Sequence, residues 1–367
     1  MFEHIDKKSI QITEDDKIEL NRHYSRTMSK IQKELKSGNC FVCGKDVTSY
    51  CNSHMVPKFC LDNIGIEGEV ATPNRIIQIP GMGKLGKERL GINSAGTFQM
   101  ICRECDSKIF QEYENPDNYS EGKYPTQKML SQIAMKNYLK FINKRKIEIL
   151  LAEKALKNLR NQKKQNSSFL EVEEEKRLKV SKTDLQEYMK EFKTAQKNSK
   201  SKIGNGYYII HYELLDYVVP ITIQAPLSIY FDIEGNVIND MLNNDPTYRF
   251  IDLHLCIFPL SNKTAVLLFV ENNSKRYKNF YKQLRKLPHE DQLAVINYII
   301  FLYSEDYFLN KNVEQTVDLS DFKDKAGLTP VFWNFCMEDP SKEMKNEYTL
   351  QNYKNIPNLL SEKYKIR

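Results

Sequence analysis

The sequence predicts an α+β protein of three regions: a cysteine-bearing part over residues 1–125, a charged helical segment over 126–205, and a C-terminal α+β part with an antiparallel sheet over 206–367. Three observations carry that expectation. Two Cys-x-x-Cys pairs bracket a turn-rich stretch that is poor in large hydrophobes. Helical periodicity with dense charge follows it, and after Gly206 the apolar residues change to strand spacing. At 367 residues the chain is also longer than one ordinary core supports.

Taken in order, the N-terminus "MFEHIDKKSIQITEDDKIEL" lacks the apolar core of a signal peptide. No stretch approaches the roughly 18 uninterrupted apolar residues of a membrane span. The longest apolar run, "LAVINYIIFLY", reads as a buried helix. A cytoplasmic location is expected, with the eight cysteines reduced or metal-bound rather than paired. The formal charge of +6 is mild; it is compatible with a polyanionic partner and does not require one.

Residues 14–37 carry Ile18, Leu20, Met28 and Ile31 among many charges and predict a helix ending before Gly38. Residues 40–120 are turn-rich and need an outside constraint to fold. In the middle segment Ile147, Leu150, Leu151 and Leu159 share one helical face, and Leu185, Tyr188, Met189 and Phe192 share another. "RNQKKQNSSFLEVEEEK" reads as an exposed break between the two helices, and "KNSKSKIGNG" as a polar hinge after them.

Beyond the hinge, "YYIIHYELL" is β-rich and "PLSIYFDIEGNVI" predicts a hairpin turning at Glu234, Gly235 and Asn236. In "IDLHLCIFPL" Ile251, Leu253, Leu255 and Ile257 alternate with Asp252, His254 and Cys256, the pattern of a half-buried strand. "AVLLFVEN" reads as a fully buried strand, and "PHEDQLAVINYIIFLYSED" as a helix. No catalytic set stands out in this region. His211 and His254 fall in strand patterns as structural residues, and sensing a protein partner or self-association is the expected role.

The cysteines carry the clearest chemistry. Cys40 and Cys43 in "CFVCGK", and Cys102 and Cys105 in "CRECD", each bend the backbone so that two thiolates face one point. Together they complete a closed, tetrahedral, structural Zn²⁺ site. The alternatives are reduced core cysteines or a redox dithiol. Cys51, Cys60, Cys256 and Cys336 have no matched partners and are expected to pack as small hydrophobes.

Between the pairs lie "SHMVPK", a long loop, and "GTFQMICRECDSKIFQEYE". With "CFVCG", these stretches make residues 38–116 resemble the zinc-stabilised HNH, or ββα-metal, endonucleases. The resemblance implies a nuclease-like N-terminal unit whose zinc is structural. It also implies that His54 is the general base on the first strand, and that a second divalent cation, Mg²⁺ or Mn²⁺, bridges the scissile phosphate. Asp106 and Glu114 would hold that cation from the helix after the second cysteine pair, with Glu112 as an alternate. Asn93 would orient the base. An imidazole suits the role because its ordinary pKa of about 6.5 leaves it able to accept a proton near pH 7. The chain departs from the pattern at Ser53, where many members carry an acidic metal ligand, and at Phe110, which cannot coordinate. Asp106 has a second reading as the cap of the helix that begins there.

The resemblance implies nucleic acid, with DNA the expected substrate, and analogy suggests a role in phage defence. The loop "IPGMGKLGKERLG" offers Lys84, Lys87 and Arg89 to phosphates, its four glycines letting the backbone come close. Lys144, Arg145, Lys146, Lys154, Lys157, Arg160, Lys163 and Lys164 form a further basic run that could contact phosphates but reads rather as a solvated charged face, because Glu148 and Glu153 interrupt it. A non-catalytic zinc module that binds nucleic acid or protein is the competing reading of the whole chain.

Overall fold

The computed structural model describes residues 14–367 except 37, 73–76, 80–82, 86–88, 163–166, 202–203, 244, 246, 273, 305, 318–344 and 346. Helix α1 spans Glu14–Glu34, as the N-terminal pattern predicts. The cysteine-bearing stretch then folds into short pieces: β1 (Ser53–His54), α2 (Lys58–Ile64), β2 (Glu69–Ala71), β3 (Ile77–Ile79), β4 (Gly83–Leu85), β5 (Arg89–Gly91), β6 (Thr97–Phe98) and α3 (Arg103–Ile109).

Two long helices follow, α4 (Gln127–Gln162) and α5 (Ser167–Lys200). At 36 residues α4 is about 54 Å long. Ion pairs join Arg145 to Asp184, Glu153 to Lys182 and Arg160 to Glu175, so the later residues of α4 meet the earlier residues of α5 and the pair is antiparallel. These contacts also neutralise much of the basic run. Lys154 pairs with Glu34 of α1, and Lys146 lies over the Phe41 ring. The run is therefore mainly a charge-paired helix surface; Lys163 and Lys164 lie outside the described residues.

The C-terminal part supplies β7 (Tyr207–Leu215), β8 (Ile221–Leu227), β9 (Leu253–Pro259), β10 (Thr264–Glu271), α6 (Lys278–Lys286), α7 (His289–Tyr303) and β11 (Tyr307–Leu309). Every pairing in its sheet is antiparallel, in the order β5-β2-β11-β8-β9-β10-β7. The protein is thus α+β. The expected hairpin at Glu234–Asn236 is a turn closed by the single bridge Phe231–Val237, with Asp232 accepting from the backbone N–H groups of Glu234 and Asn236 and Gly235 at φ +83°.

Packing runs across the sequence boundaries, which fall just before α4 and β7. Strands β2 and β5, from the cysteine-bearing stretch, extend the C-terminal sheet through the Leu309–Ala71 pairing. One face of the sheet packs Leu255, Ile257, Val266 and Leu268 against Val295, Ile296, Ile299 and Ile300 of α7. The other packs Cys256, Phe258, Leu267 and Phe269 against Ile133, Ala134 and Leu139 of α4 and against Tyr113 and Tyr119. For this reason β9 is buried along its whole length, not half-buried as its alternation suggests. Its second face is roofed by α4, and the polar residue there is neutralised. His254 accepts at Nδ1 from the Asn137 amide at 3.0 Å and stacks on Phe269, and burial lowers its pKa to about 3.

Candidate metal centre and the histidine beside it

The first cysteine pair sits in a knuckle. Gly44 adopts φ +70°, a conformation open to glycine at little cost, and its N–H donates to the Cys40 carbonyl at 2.8 Å. The second pair opens α3, where Cys102 is the N-cap and its sulfur accepts from the Cys105 N–H at 3.4 Å. Asp106 is therefore not the cap; the Cys102 sulfur already fills that position. The Cys102 N–H donates to the Cys40 sulfur at 3.3 Å, and the Phe41 N–H to the Met100 carbonyl at 3.0 Å, which ties the two halves together.

Ligand atoms of Cys40, Cys43, Cys102 and Cys105 all lie within 4.8 Å of one another. A tetrahedral zinc with Zn–S bonds of about 2.3 Å requires sulfurs about 3.8 Å apart, and Cys43 and Cys102 stand at 3.9 Å. Burial pushes the Cys40 thiol up, but the N–H groups of Cys43, Cys102 and Val42 outweigh it and bring it down to about 7. Cys105 is raised, first by burial and then by its three sulfur neighbours. Four sulfurs so crowded, with amide donors turned toward them, suit a cation that accepts thiolates. The four cysteines can hold a zinc ion. Among the described residues they are the only such group of three or more potential ligands.

Cys60 and Cys256 are fully buried, as small hydrophobes would be. Cys336 lies outside the described residues. Cys51 is half-buried and donates to Asp106 Oδ2 at 3.3 Å, and burial raises its pKa to about 11, so it stays a thiol.

His54 lies on β1, which pairs antiparallel with β6 just before α3 begins. Its Nε2 is 3.0 Å from the Ile92 carbonyl. A carbonyl can only accept, so Nε2 carries the proton and Nδ1 keeps the basic lone pair. The histidine is lowered below its ordinary pKa, chiefly by burial and further by Lys136 and Lys58, so the ring is neutral near pH 7. The contact that orients it is the Ile92 backbone and not the side chain of Asn93. Asn93 is exposed, and its own carbonyl accepts from Asn52 at 2.9 Å.

Asp106 and Glu114 come together, but not on one helical face. Helix α3 ends at Ile109, and a turn in which the Glu114 N–H donates to the Phe110 carbonyl brings Glu114 back. The cation they share is the ammonium of Lys136, 2.7 Å from Asp106 Oδ1 and 3.0 Å from Glu114 Oε1. Ser53 also donates to Asp106 Oδ1, and Tyr113 to Glu114 Oε1 at 3.1 Å. Burial pushes Asp106 up, but Lys136 and the hydrogen bonds from Ser53 and Cys51 outweigh it and hold the acid below its usual range. Burial keeps Glu114 above its usual range. Glu112 faces elsewhere, pairing with Lys128 at 2.7 Å.

Lys136 is absent from the sequence-based candidates, though one signal marked it. It stands inside "MLSQIAMKNYLKFI", where Met129, Leu130, Ile133, Ala134 and Met135 are all buried, and a lysine among such neighbours needs a carboxylate partner. Of the basic loop, Arg89 is exposed on the edge strand β5 and Lys84 lies on β4, while Lys87 falls outside the described residues. Among the described residues no helix is long and apolar enough to cross a membrane. Comparison of the chain with protein-family models, with curated proteins and with solved structures returned no match.

Proposed function

We propose that the protein hydrolyses phosphodiester bonds of nucleic acid, DNA first, with His54 as the general base in a zinc-stapled hairpin-and-helix frame. The observation that carries this reading is the state of His54: a neutral imidazole whose Nε2–H is fixed on a backbone carbonyl, leaving Nδ1 to take a proton from water. Burial, with Lys136 and Lys58 nearby, keeps the ring unprotonated. Arg89, with Lys84 and Lys87 of the same basic segment, would position the backbone without reading sequence. The Mg²⁺ or Mn²⁺ ion implied at Asp106 and Glu114 is not carried into this reading, because Lys136 already bridges the pair.

The test is incubation of the zinc-loaded protein with labelled DNA and RNA, beside His54→Ala. The variant should keep its zinc and melting temperature and lose roughly 10²–10⁴-fold in cleavage. Equal cleavage by both proteins would place the base elsewhere, and loss of zinc in the variant would make the histidine structural. The second reading, a non-catalytic zinc module that binds nucleic acid or protein, is favoured by the same closed Asp106–Lys136–Glu114 contact. Binding without cleavage by the wild type would select it. In either case alanine at Lys84, Lys87 and Arg89 should make the log–log salt dependence of DNA binding shallower, by up to about 0.9 for each phosphate no longer neutralised.

A further inference from the structure

Lys136 does more than fill space. Its side chain is 1% exposed, its ammonium bridges two carboxylates, and the Phe110 ring lies 4.2 Å beneath it. That ring occupies the position one turn beyond Asp106, which the sequence marked as unable to coordinate. It serves an ammonium instead, since an aromatic face attracts a cation without donating a ligand atom.

Three of the four carboxylate oxygens of the site already have partners. Asp106 accepts from Ser53 and Lys136 on one oxygen and from Cys51 on the other, and Glu114 Oε1 accepts from both Tyr113 and Lys136. A magnesium ion needs near-octahedral oxygens at about 2.1 Å and keeps several waters. To reach these carboxylates it would have to displace an ammonium tethered to a helix packed against the sheet. Ser53 fits the same account. An acidic residue there would face Asp106 as a second anion, whereas the hydroxyl donates to it.

We infer that Lys136 is the resident cation of this site: its ammonium takes the place of a divalent ion between Asp106 and Glu114, and it holds Asp106 so that Ser53, and with it the neighbouring His54, stays in register with α3. Lys136 is on this account a positioning residue. The consequence for catalysis rests on the His54 reading, whereas the ion-binding consequence stands without it. Asp106 links the two halves of the device, following zinc ligand Cys105 in the chain and bonding to the residue before His54.

The deciding measurement is Mn²⁺ binding to the zinc-loaded full chain by electron paramagnetic resonance. Wild type should bind no more Mn²⁺ than Asp106→Asn or Glu114→Gln. Lys136→Ala, which leaves two carboxylates around a vacated space, should gain about one bound Mn²⁺ per chain, and Lys136→Ala/Asp106→Asn should lose it again. Lys136→Arg keeps the charge and should gain none. A Mn²⁺ ion bound by wild type and removed by either carboxylate variant would overturn the inference, as would a folded Lys136→Ala that gains none. If Lys136→Ala does not fold, the comparison of wild type with the two carboxylate variants still decides. No step of this experiment depends on cleavage, so a protein that hydrolyses nothing would sink the nuclease reading while leaving this result intact.

Discussion

The cysteine-bearing stretch and the C-terminal sheet hold their shape by opposite means. Between Asn39 and Tyr119 the longest described elements are the seven-residue helices α2 and α3, and β1 and β6 have two residues each. Such short pieces cannot sustain themselves by backbone hydrogen bonding alone. Besides burying Leu61, Ile64, Phe98, Ile101 and Phe110 in the core shared with α4 and the sheet, they carry strong local constraints: four sulfurs within 4.8 Å of one another, and one ammonium between two carboxylates. In the sheet, β7 to β10 run for seven to nine residues, and β8 and β9 are buried throughout. There stability is spread over dozens of apolar contacts, none of them decisive. The first region is the more sensitive to single polar substitutions; the second weakens by increments.

The largest expected effect breaks the first region outright. Cys43→Ser or Cys105→Ser should abolish zinc retention and unfold residues 40–115, because structural zinc contributes on the order of 10–16 kcal/mol of folding free energy. Elemental analysis and limited proteolysis would read both changes. Full retention of metal and helicity in both variants would mean that the sulfurs are not the constraint.

In the sheet, Leu255→Ala should cost about 2–5 kcal/mol in denaturant unfolding, from a cavity between β9 and α7. The zinc content should not change. A loss of zinc on this substitution would show that the two regions are less distinct than their packing suggests.

An effect confined to acid pH comes from His254, the polar residue that the roofed face of β9 has to keep neutral. Its folded pKa lies near 3, below the ordinary 6.5, so between those values the unfolded chain takes up a proton that the folded chain does not. Stability contributed by the neutral ring is whole above pH 6.5 and falls as pH drops toward 3, at up to about 1.4 kcal/mol per pH unit. His254→Phe should remove that contribution, leaving a shallower decline than wild type in acid denaturation; parallel curves would show that the ring is not held neutral. The smallest effect belongs to the charged hairpin. Glu153→Gln breaks an exposed pair with Lys182 and should change stability by less than about 0.5 kcal/mol. A much larger loss in thermal melting would mean that the hairpin is held by its charges and not by its apolar seam.

Much of the fold was legible because its signals are local. The periodicity of α4 and α7, the β-rich run of β7 and the buried strand β10 stand in the sequence as they stand in the structure, whereas the break expected over residues 160–176 is largely helical, since α4 runs to Gln162 and α5 begins at Ser167. The burial of β9 on both faces was not legible, because α4, which covers the second face, lies more than a hundred residues earlier in the chain. Asn93 shows the limit on a smaller scale: the loop beside His54 was identifiable, but the group that contacts the ring is a backbone carbonyl, which every residue type carries.

The sequence by itself marked the four sulfurs, since each Cys-x-x-Cys pair turns two thiols toward one point. It also marked His54 and the carboxylates of Asp106 and Glu114 as neighbours of that frame. Only the tertiary structure decided which cation the carboxylates share, which strands complete the sheet, and that neither face of β9 meets water. Those outcomes depend on contacts between residues distant in the chain, such as Lys136 with Asp106 and Asn310 with the Ile64 carbonyl. Residue spacing cannot encode them, because the partners are brought together only by the packing of distant segments.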